Sequence, residues 1–79
     1  MFYVYILKSQ SRVGHYVGQT NNLEQRIERH NSSKYGYTRR GRPWVLIYSE
    51  KYETRAEAMR RERFLKSGKG REFLSNLRK

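Results

Sequence analysis

The sequence contains no cysteine and no aspartate, and it has a single proline. Without cysteine, neither a disulfide framework nor a thiolate metal site is available, and two histidines are too few for a typical structural zinc site. No apolar segment approaches the ~20 residues that a membrane-spanning helix needs. The N-terminus, Met1-Phe2-Tyr3, lacks the basic region and cleavage site of a signal peptide. We therefore expect a cytoplasmic protein with no membrane association.

What the sequence does contain is a large excess of positive charge. Eighteen Lys and Arg residues oppose seven acidic ones, which gives a formal net charge of +11 in 79 residues. A small domain with such a field attracts polyanions, and nucleic acid is the commonest of these. A ribosome-associated or merely soluble basic protein has the same composition. An acidic membrane surface fits less well, because no predicted helix joins a strong apolar face to a basic one.

Hydrophobic patterning predicts one small α/β (α+β) domain over residues 1–79. Residues 2–7 form an aromatic and β-branched run typical of a strand buried on both faces, and residues 15–18 and 44–48 predict two further strands. Helices are predicted from Asn22 to about residue 33, from Thr54 to about residue 67, and from Arg71 to about residue 77. Gly68-Lys69-Gly70 is interpreted as a break. The expected fold is a three-stranded antiparallel sheet flanked by helices, in the order β-β-α-β-α-α.

The first three elements bring together groups that suit a phosphate. Neighbouring antiparallel strands can present the Tyr5 and Tyr16 hydroxyls on one side of the sheet. Arg26 and His30 lie one helical turn apart. A guanidinium matches the oxygen pair of a phosphate and keeps its charge, while an imidazole can accept a proton or position a hydroxyl. Taken singly, these residues are more often sheet aromatics, a surface arginine and a helix-terminal histidine.

Glu62 stands out in the second predicted helix because it lies on the only apolar stripe, with Ala58, Met59 and Leu65. A carboxylate on a core-facing stripe is costly unless it is paired or binds a cation. Two interpretations follow. Glu62 forms an ion pair, for example with Arg26, or it is a single-carboxylate anchor for Mg²⁺, which takes its other ligands from water and substrate phosphate.

The connection between residues 34 and 43 is basic, contains glycine and has no periodicity. It is either a solvated loop or an arm whose cations contact phosphates while Tyr35 or Tyr37 stacks on a base. The candidate nucleic-acid-binding residues in this connection are Lys34, Arg39, Arg40 and Arg42.

Together these motifs resemble the GIY-YIG nuclease domain, and the resemblance covers nearly the whole chain. Tyr3-Val4-Tyr5 stands at the GIY element, although Tyr3 replaces its glycine, and Tyr16-Val17-Gly18 stands at the YIG element. Residues 18–30 match G-x-T-x-x-L-x-x-R-x-x-x-H, and Glu62 matches the metal-binding glutamate of the family. Asn76 matches a supporting asparagine of some members only loosely. The chain is similar to the small stand-alone bacterial members described as UPF0213.

The resemblance implies a metal-dependent endonuclease that hydrolyses DNA phosphodiester bonds in repair or recombination. It assigns proton transfer to Tyr5 or Tyr16, transition-state stabilisation to Arg26, support of a tyrosine to His30, and one Mg²⁺ or Mn²⁺ ion to Glu62. The alternatives are a non-cleaving basic nucleic-acid-binding protein with a relict site, and a structural module that binds proteins. We expect DNA as the partner, with targeting by another protein or self-association.

Overall fold

A computed structural model describes residues 1–32 and 40–77 of the chain. In these ranges the elements are β1 (Phe2–Ser9), β2 (His15–Thr20), α1 (Leu23–Ser32), β3 (Trp44–Tyr52), α2 (Arg55–Leu65) and α3 (Gly68–Leu77). The strands form one sheet in the order β2-β1-β3, with both pairings antiparallel. The predicted fold and element order are confirmed. In the part of the chain described, no helix is long and apolar enough to cross a membrane.

The central strand β1 is buried on both faces, as its continuous apolar run predicts. Val4 and Ile6 pack on one face against residues of α2 and α3, while Tyr5 and Leu7 pack on the other against residues of α1. All four side chains are fully buried. Burial of side chains of this size contributes about 1.5–3 kcal/mol each to the free energy of unfolding. The strand therefore joins two hydrophobic clusters through a single sheet.

The structure corrects three predicted boundaries. Strands β2 and β3 extend to Thr20 and Tyr52, because residues 3–5 of β1 pair with both of them and Phe2 pairs with Tyr52. Helix α3 begins at Gly68, so the predicted break there is wrong. The Ser67 hydroxyl accepts a hydrogen bond from the Gly70 amide at 3.4 Å and caps the helix. A Cβ at position 70 would lie 2.2 Å from the Leu65 carbonyl oxygen, so glycine permits this close approach.

Side-chain caps begin the other two helices where the sequence predicts them. The Asn22 side-chain oxygen accepts a hydrogen bond from the Gln25 amide at 3.1 Å, and the Thr54 hydroxyl accepts one from the Glu57 amide at 3.2 Å. Each cap satisfies one of the amides that the first helical turn leaves without a partner.

Helix α2 is fixed over the sheet by an ion pair that the sequence analysis did not identify. The Arg61 guanidinium donates to both carboxylate oxygens of Glu50 on β3, with Nε 3.0 Å from Oε1 and Nη2 3.1 Å from Oε2. The Tyr48 and Tyr52 hydroxyls donate to the same carboxylate. Burial raises the pKa of Glu50, but these hydrogen bonds outweigh burial and leave its pKa below the usual value. This Glu50–Arg61 clamp, formed by the ion pair and the two tyrosine hydrogen bonds, sets the rotation of α2 about its axis. It therefore also sets the position of Glu62.

Candidate active site

The site is built on a buried hydrogen bond between Tyr5 of β1 and His30 near the end of α1. The Tyr5 hydroxyl lies 2.9 Å from His30 Nε2, and the residues are 0 % and 7 % exposed. Gly18 of β2 lies opposite Tyr5 in the sheet. A Cβ at position 18 would lie only 2.6 Å from the tyrosine hydroxyl. The glycine of the YIG-like motif therefore makes room for the tyrosine of the GIY-like motif.

Burial keeps both members of this pair neutral. Burial, and after it the nearby Tyr16, raises the pKa of the Tyr5 phenol, although the Arg26 guanidinium opposes the rise by its charge and by hydrogen bonding. Burial, together with the charges of Arg26 and Arg29, lowers the pKa of His30. At neutral pH a phenol therefore faces an uncharged imidazole. When Nδ1 carries the imidazole proton, Nε2 accepts the phenolic hydrogen.

Tyr16 covers the buried pair. Its ring centroid lies 4.5 Å from that of His30 and 6.3 Å from that of Tyr5. Tyr16 is half-buried, so it is the more accessible of the two tyrosines. Trp44 lies behind it, at 6.4 Å between centroids. Both tyrosines thus lie on the α1 side of the sheet, and Tyr16 separates the Tyr5–His30 pair from solvent.

Arg26 and Glu62 come from two different helices and act on the same phenol. The Arg26 guanidinium lowers the pKa of Tyr5, while the Glu62 carboxylate raises it. Arg26 is half-buried on α1, and the Glu62 side chain on α2 is 22 % exposed. The tertiary structure therefore places Glu62 within electrostatic range of Tyr5, although the two residues are far apart in the sequence.

The surroundings of Glu62 correct the sequence interpretation in two respects. Ala58 and Leu65 are buried, but Met59 is 44 % exposed, so Glu62 lies at the border of the apolar stripe. Its carboxylate pairs with Lys66, at 2.7 Å from Nζ, and not with Arg26. The pair forms because residues four apart on a helix lie on the same face. A charged group in this position keeps water and a cation within reach and avoids the cost of a buried charge.

The donor set around Glu62 is compatible with a loosely held divalent cation. Among residues 1–32 and 40–77, no group of three or more His, Cys, Asp or Glu side chains could enclose a metal ion. Mg²⁺ does not require such a cage, because it commonly binds one or two carboxylates and keeps several waters. The Lys66 ammonium contacts the carboxylate in this structure, so a metal ion bound there would have to displace it. Glu62 is thus compatible with a one-carboxylate metal site only if the Lys66 pair opens.

The predicted phosphate-contacting residues are only partly described. Lys34 and Arg39 lie outside the described residues, as do Tyr35 and Tyr37. Arg40 and Arg42 are exposed, and Arg42 Nη1 donates to the Asn31 carbonyl at 3.2 Å, directly after His30. Asn76 is exposed on α3.

The sequence analysis also missed a support of the site at the end of α1. The Asn31 side chain accepts a hydrogen bond from the Trp44 amide at 2.6 Å and donates one to the Trp44 carbonyl at 3.1 Å. An asparagine at this place in a sequence signals only the end of a helix. The pairing holds Trp44 at 4 % exposure, next to Tyr16.

Comparisons with known proteins identify the family of the chain. Residues 1–76 match the sequence profile of the GIY-YIG catalytic domain. A UPF0213 protein of Staphylococcus haemolyticus is 46 % identical over 66 residues, which cover 82 % of this chain and 79 % of that protein. A UPF0213 protein of Clostridium perfringens is 46 % identical over 67 residues, which cover 84 % of this chain and 71 % of that one.

A solved structure also resembles the chain. The solution NMR structure of a UPF0213 protein from Bacillus halodurans superposes with a TM-score of 0.56 at 36 % identity, covering 98 % of this chain and 85 % of that one. The family match spans nearly the whole sequence and includes every residue of the site described above. The chain therefore belongs to the GIY-YIG family of nuclease domains, and its similarity is to the UPF0213 members.

Proposed function

We propose that this protein is a metal-dependent endonuclease that hydrolyses DNA phosphodiester bonds, in repair or recombination. The observation that carries the proposal is the buried hydrogen bond between the Tyr5 hydroxyl and His30, with the charges of Arg26 and Glu62 within electrostatic range of the same phenol. In-line attack on a phosphodiester needs a cation at the phosphate, an acceptor for the proton of water, and stabilisation of the leaving oxygen. A guanidinium, an imidazole and a carboxylate that all act on one phenol can meet these needs.

Each of the proposed site residues has a distinct part in this mechanism. Arg26 binds the phosphate oxygens and stabilises the charge that develops on them. The Tyr5 hydroxyl orients the His30 ring through their 2.9 Å hydrogen bond. A divalent ion held by Glu62 would supply Lewis-acid stabilisation of the leaving oxygen. To hold the ion, the Glu62 carboxylate would have to release the Lys66 ammonium.

The two tyrosines differ in burial, and this difference indicates which of them can contact the attacking water. Tyr5 is fully buried and its pKa is raised, so its phenol remains protonated at neutral pH. Tyr16 is half-buried, and its ring lies against the neutral His30 imidazole. These features favour Tyr16 as the residue that contacts water, with the Tyr5–His30 pair supporting it.

Cleavage of labelled duplex, single-stranded, flap and junction DNA with Mg²⁺ or Mn²⁺ tests the proposal. We expect Glu62→Gln to abolish cleavage while DNA binding persists, and Arg26→Ala to lower the rate about 10²–10³-fold. Glu53→Gln and Arg60→Ala remove the same charges at exposed positions and should cleave like the wild type. Cleavage that survives in Glu62→Gln, or its absence in the wild type on all four substrates, would overturn the enzymatic proposal.

A non-cleaving nucleic-acid-binding protein with a relict site is the alternative. The observation that favours it is the Lys66 ammonium 2.7 Å from the carboxylate proposed to hold the metal. The +11 charge serves binding in either case. This alternative requires tight, salt-sensitive binding without cleavage. On duplex DNA, a plot of log K against log salt concentration should have a slope of about −0.9 for each phosphate that the protein neutralises. An affinity that does not depend on salt would contradict both functions.

A further inference from the structure

The turn between β1 and β2 is tied to the segment that leads into β3. Ser9 is 3 % exposed, and its hydroxyl accepts hydrogen bonds from the backbone amides of Ser11 at 3.3 Å and Arg12 at 3.1 Å. The same hydroxyl donates to the Gly41 carbonyl at 2.6 Å. A serine hydroxyl has one donor and two acceptor sites, so all of them are used. The turn is therefore fixed against residues 40–43.

This pairing continues to the aromatic side chains of the proposed active site. The Gln10 amide donates to the Pro43 carbonyl at 2.9 Å. A Cβ at Gly41 would lie 2.2 Å from a ring carbon of Trp44, so the backbone there packs directly on the indole. The Trp44 ring lies 6.4 Å from the Tyr16 ring between centroids. The turn and the segment before β3 are therefore held next to the site.

Three exposed arginines belong to this framework. The Ser11 hydroxyl donates to the Arg40 carbonyl at 3.4 Å, which brings Arg40 next to the turn that carries Arg12. Arg42 lies at the end of α1, where its guanidinium donates to the Asn31 carbonyl at 3.2 Å. The Arg12 guanidinium forms no hydrogen bond or ion pair with the rest of the chain that the structure describes. Residues far apart in the sequence thus form one basic surface.

No acidic residue is present in the segments that form this surface. The seven glutamates of the sequence all lie outside residues 1–23 and 29–49. Helix α2 differs, because its arginines alternate with Glu57 and Glu62. A cluster of cations without acidic neighbours in its own segments concentrates the field of a protein whose net charge is +11. The ligand that fits it is a polyanion with regularly spaced charges.

We propose that Arg12, Arg40 and Arg42 form one preformed surface that binds the phosphate backbone of DNA beside the active site. The inference rests on the proposed function for its partner, and it adds Arg12, which no sequence motif indicates. Each guanidinium matches a pair of phosphate oxygens and keeps its charge. Because Ser9 already orders the turn, little conformational entropy is lost on binding. A substrate therefore needs phosphates beyond the cleaved bond.

Binding of duplex DNA by the full chain, measured over a range of salt concentrations without divalent metal, tests the surface in the absence of cleavage. We expect Arg12→Ala to weaken binding about fivefold at physiological salt and to reduce the salt slope by about 0.9, the contribution of one phosphate contact. Arg60→Ala loses the same charge from an exposed position on α2 and should change neither quantity. Equal effects of the two variants would overturn the proposal.

Nuclear magnetic resonance titration with the same duplex locates the contact independently. The backbone amide signals of Arg12, Gly14 and Gly41 should show saturable shifts, because all three residues lie in the turn or in the segment bonded to it. The amides of Arg60 and Lys69, at exposed positions on α2 and α3, are the reference. Shifts confined to α2 and α3 would contradict a surface at the β1–β2 turn.

The outcomes separate this surface from the nuclease function. A wild type that cuts no DNA but loses affinity specifically in Arg12→Ala retains the surface and loses the proposed activity. A wild type that cuts DNA while Arg12→Ala and Arg60→Ala bind alike retains the activity and loses the surface. A wild-type affinity that does not depend on salt overturns both.

Discussion

The Tyr5 hydroxyl and the His30 imidazole form a 2.9 Å hydrogen bond between residues 25 apart in the chain, in the interior of the protein. Tyr5 belongs to the central strand and is fully buried, so it is part of the hydrophobic core as well as of the proposed site. A change to this pair should therefore affect stability and chemistry together. Stability measurements can test the geometry of the site without a known substrate.

Tyr5→Phe should lower the free energy of unfolding by about 1–3 kcal/mol, because it leaves His30 Nε2 buried without its partner. Chemical denaturation measures the loss. Tyr3→Phe, on the same strand but half-exposed, is the matched control and should be nearly neutral. A Tyr5→Phe protein as stable as the wild type would show that the hydrogen bond contributes little.

Gly18→Ala should destabilise the protein by about 1–3 kcal/mol through overpacking. The new methyl group would lie 2.6 Å from the Tyr5 hydroxyl and 3.1 Å from a Tyr16 ring carbon, so both rings must move. Gly68→Ala is the control, because nothing lies within 4 Å of a Cβ there. It removes a glycine from a helix and should be neutral or slightly stabilising. Thermal unfolding of both variants measures the difference, and equal stabilities would contradict the close packing at Gly18.

Stability should fall as the pH is lowered through the range in which histidine titrates. The pKa of His30 is depressed in the folded protein, so the unfolded chain binds the proton more readily. The contribution of His30 is complete above an unfolded pKa of about 6.5 and is lost as the pH falls from there through the lower folded value. The imidazole resonances of His30 should titrate at a pH below this unfolded pKa. An unshifted titration would contradict its burial, and His30→Gln should flatten the pH dependence.

Glu50→Gln should cost about 1.5–3 kcal/mol of stability, because it weakens hydrogen bonds to a charged Arg61 and to two tyrosines. The folded pKa of Glu50 is lowered, so its contribution is complete above about pH 4.3 and is lost as the pH falls through the folded value. The variant should therefore lose less stability in acid than the wild type. Glu53→Gln, at an exposed position directly after β3, is the control. Equal losses in the two variants would argue against the clamp.

Lys66→Gln should strengthen Mn²⁺ binding about twofold, because an i,i+4 ion pair no longer competes for the Glu62 carboxylate. Titration calorimetry or the paramagnetic broadening of nearby amide signals measures the affinity in the absence of DNA. Lys69→Gln removes the same charge from an exposed position on α3 and should not change it. Weaker Mn²⁺ binding in Lys66→Gln would contradict competition at Glu62.

Local sequence was sufficient to predict the elements and most of their ends. Residues 2–7 could only form a strand buried on both faces, and Asn22 and Thr54 cap the helices predicted to follow them. The α3 boundary was missed because the sequence shows the glycines but not the neighbour that makes Gly70 necessary. The Glu50–Arg61 clamp was missed for a related reason. Charged residues are so numerous here that no pattern indicates which of them pair.

The sequence by itself determined the strand-and-helix order, the basic charge and the family, because periodicity, capping and ordered motifs are properties of nearby residues. Tertiary structure decided the rest. It buried Tyr5 beneath Tyr16, and it paired Glu62 with Lys66 instead of Arg26. It also brought Glu62 within electrostatic reach of Tyr5, on an element far away in the chain. These relationships depend on how the helices are rotated against the sheet, and that rotation is set by packing over the whole core.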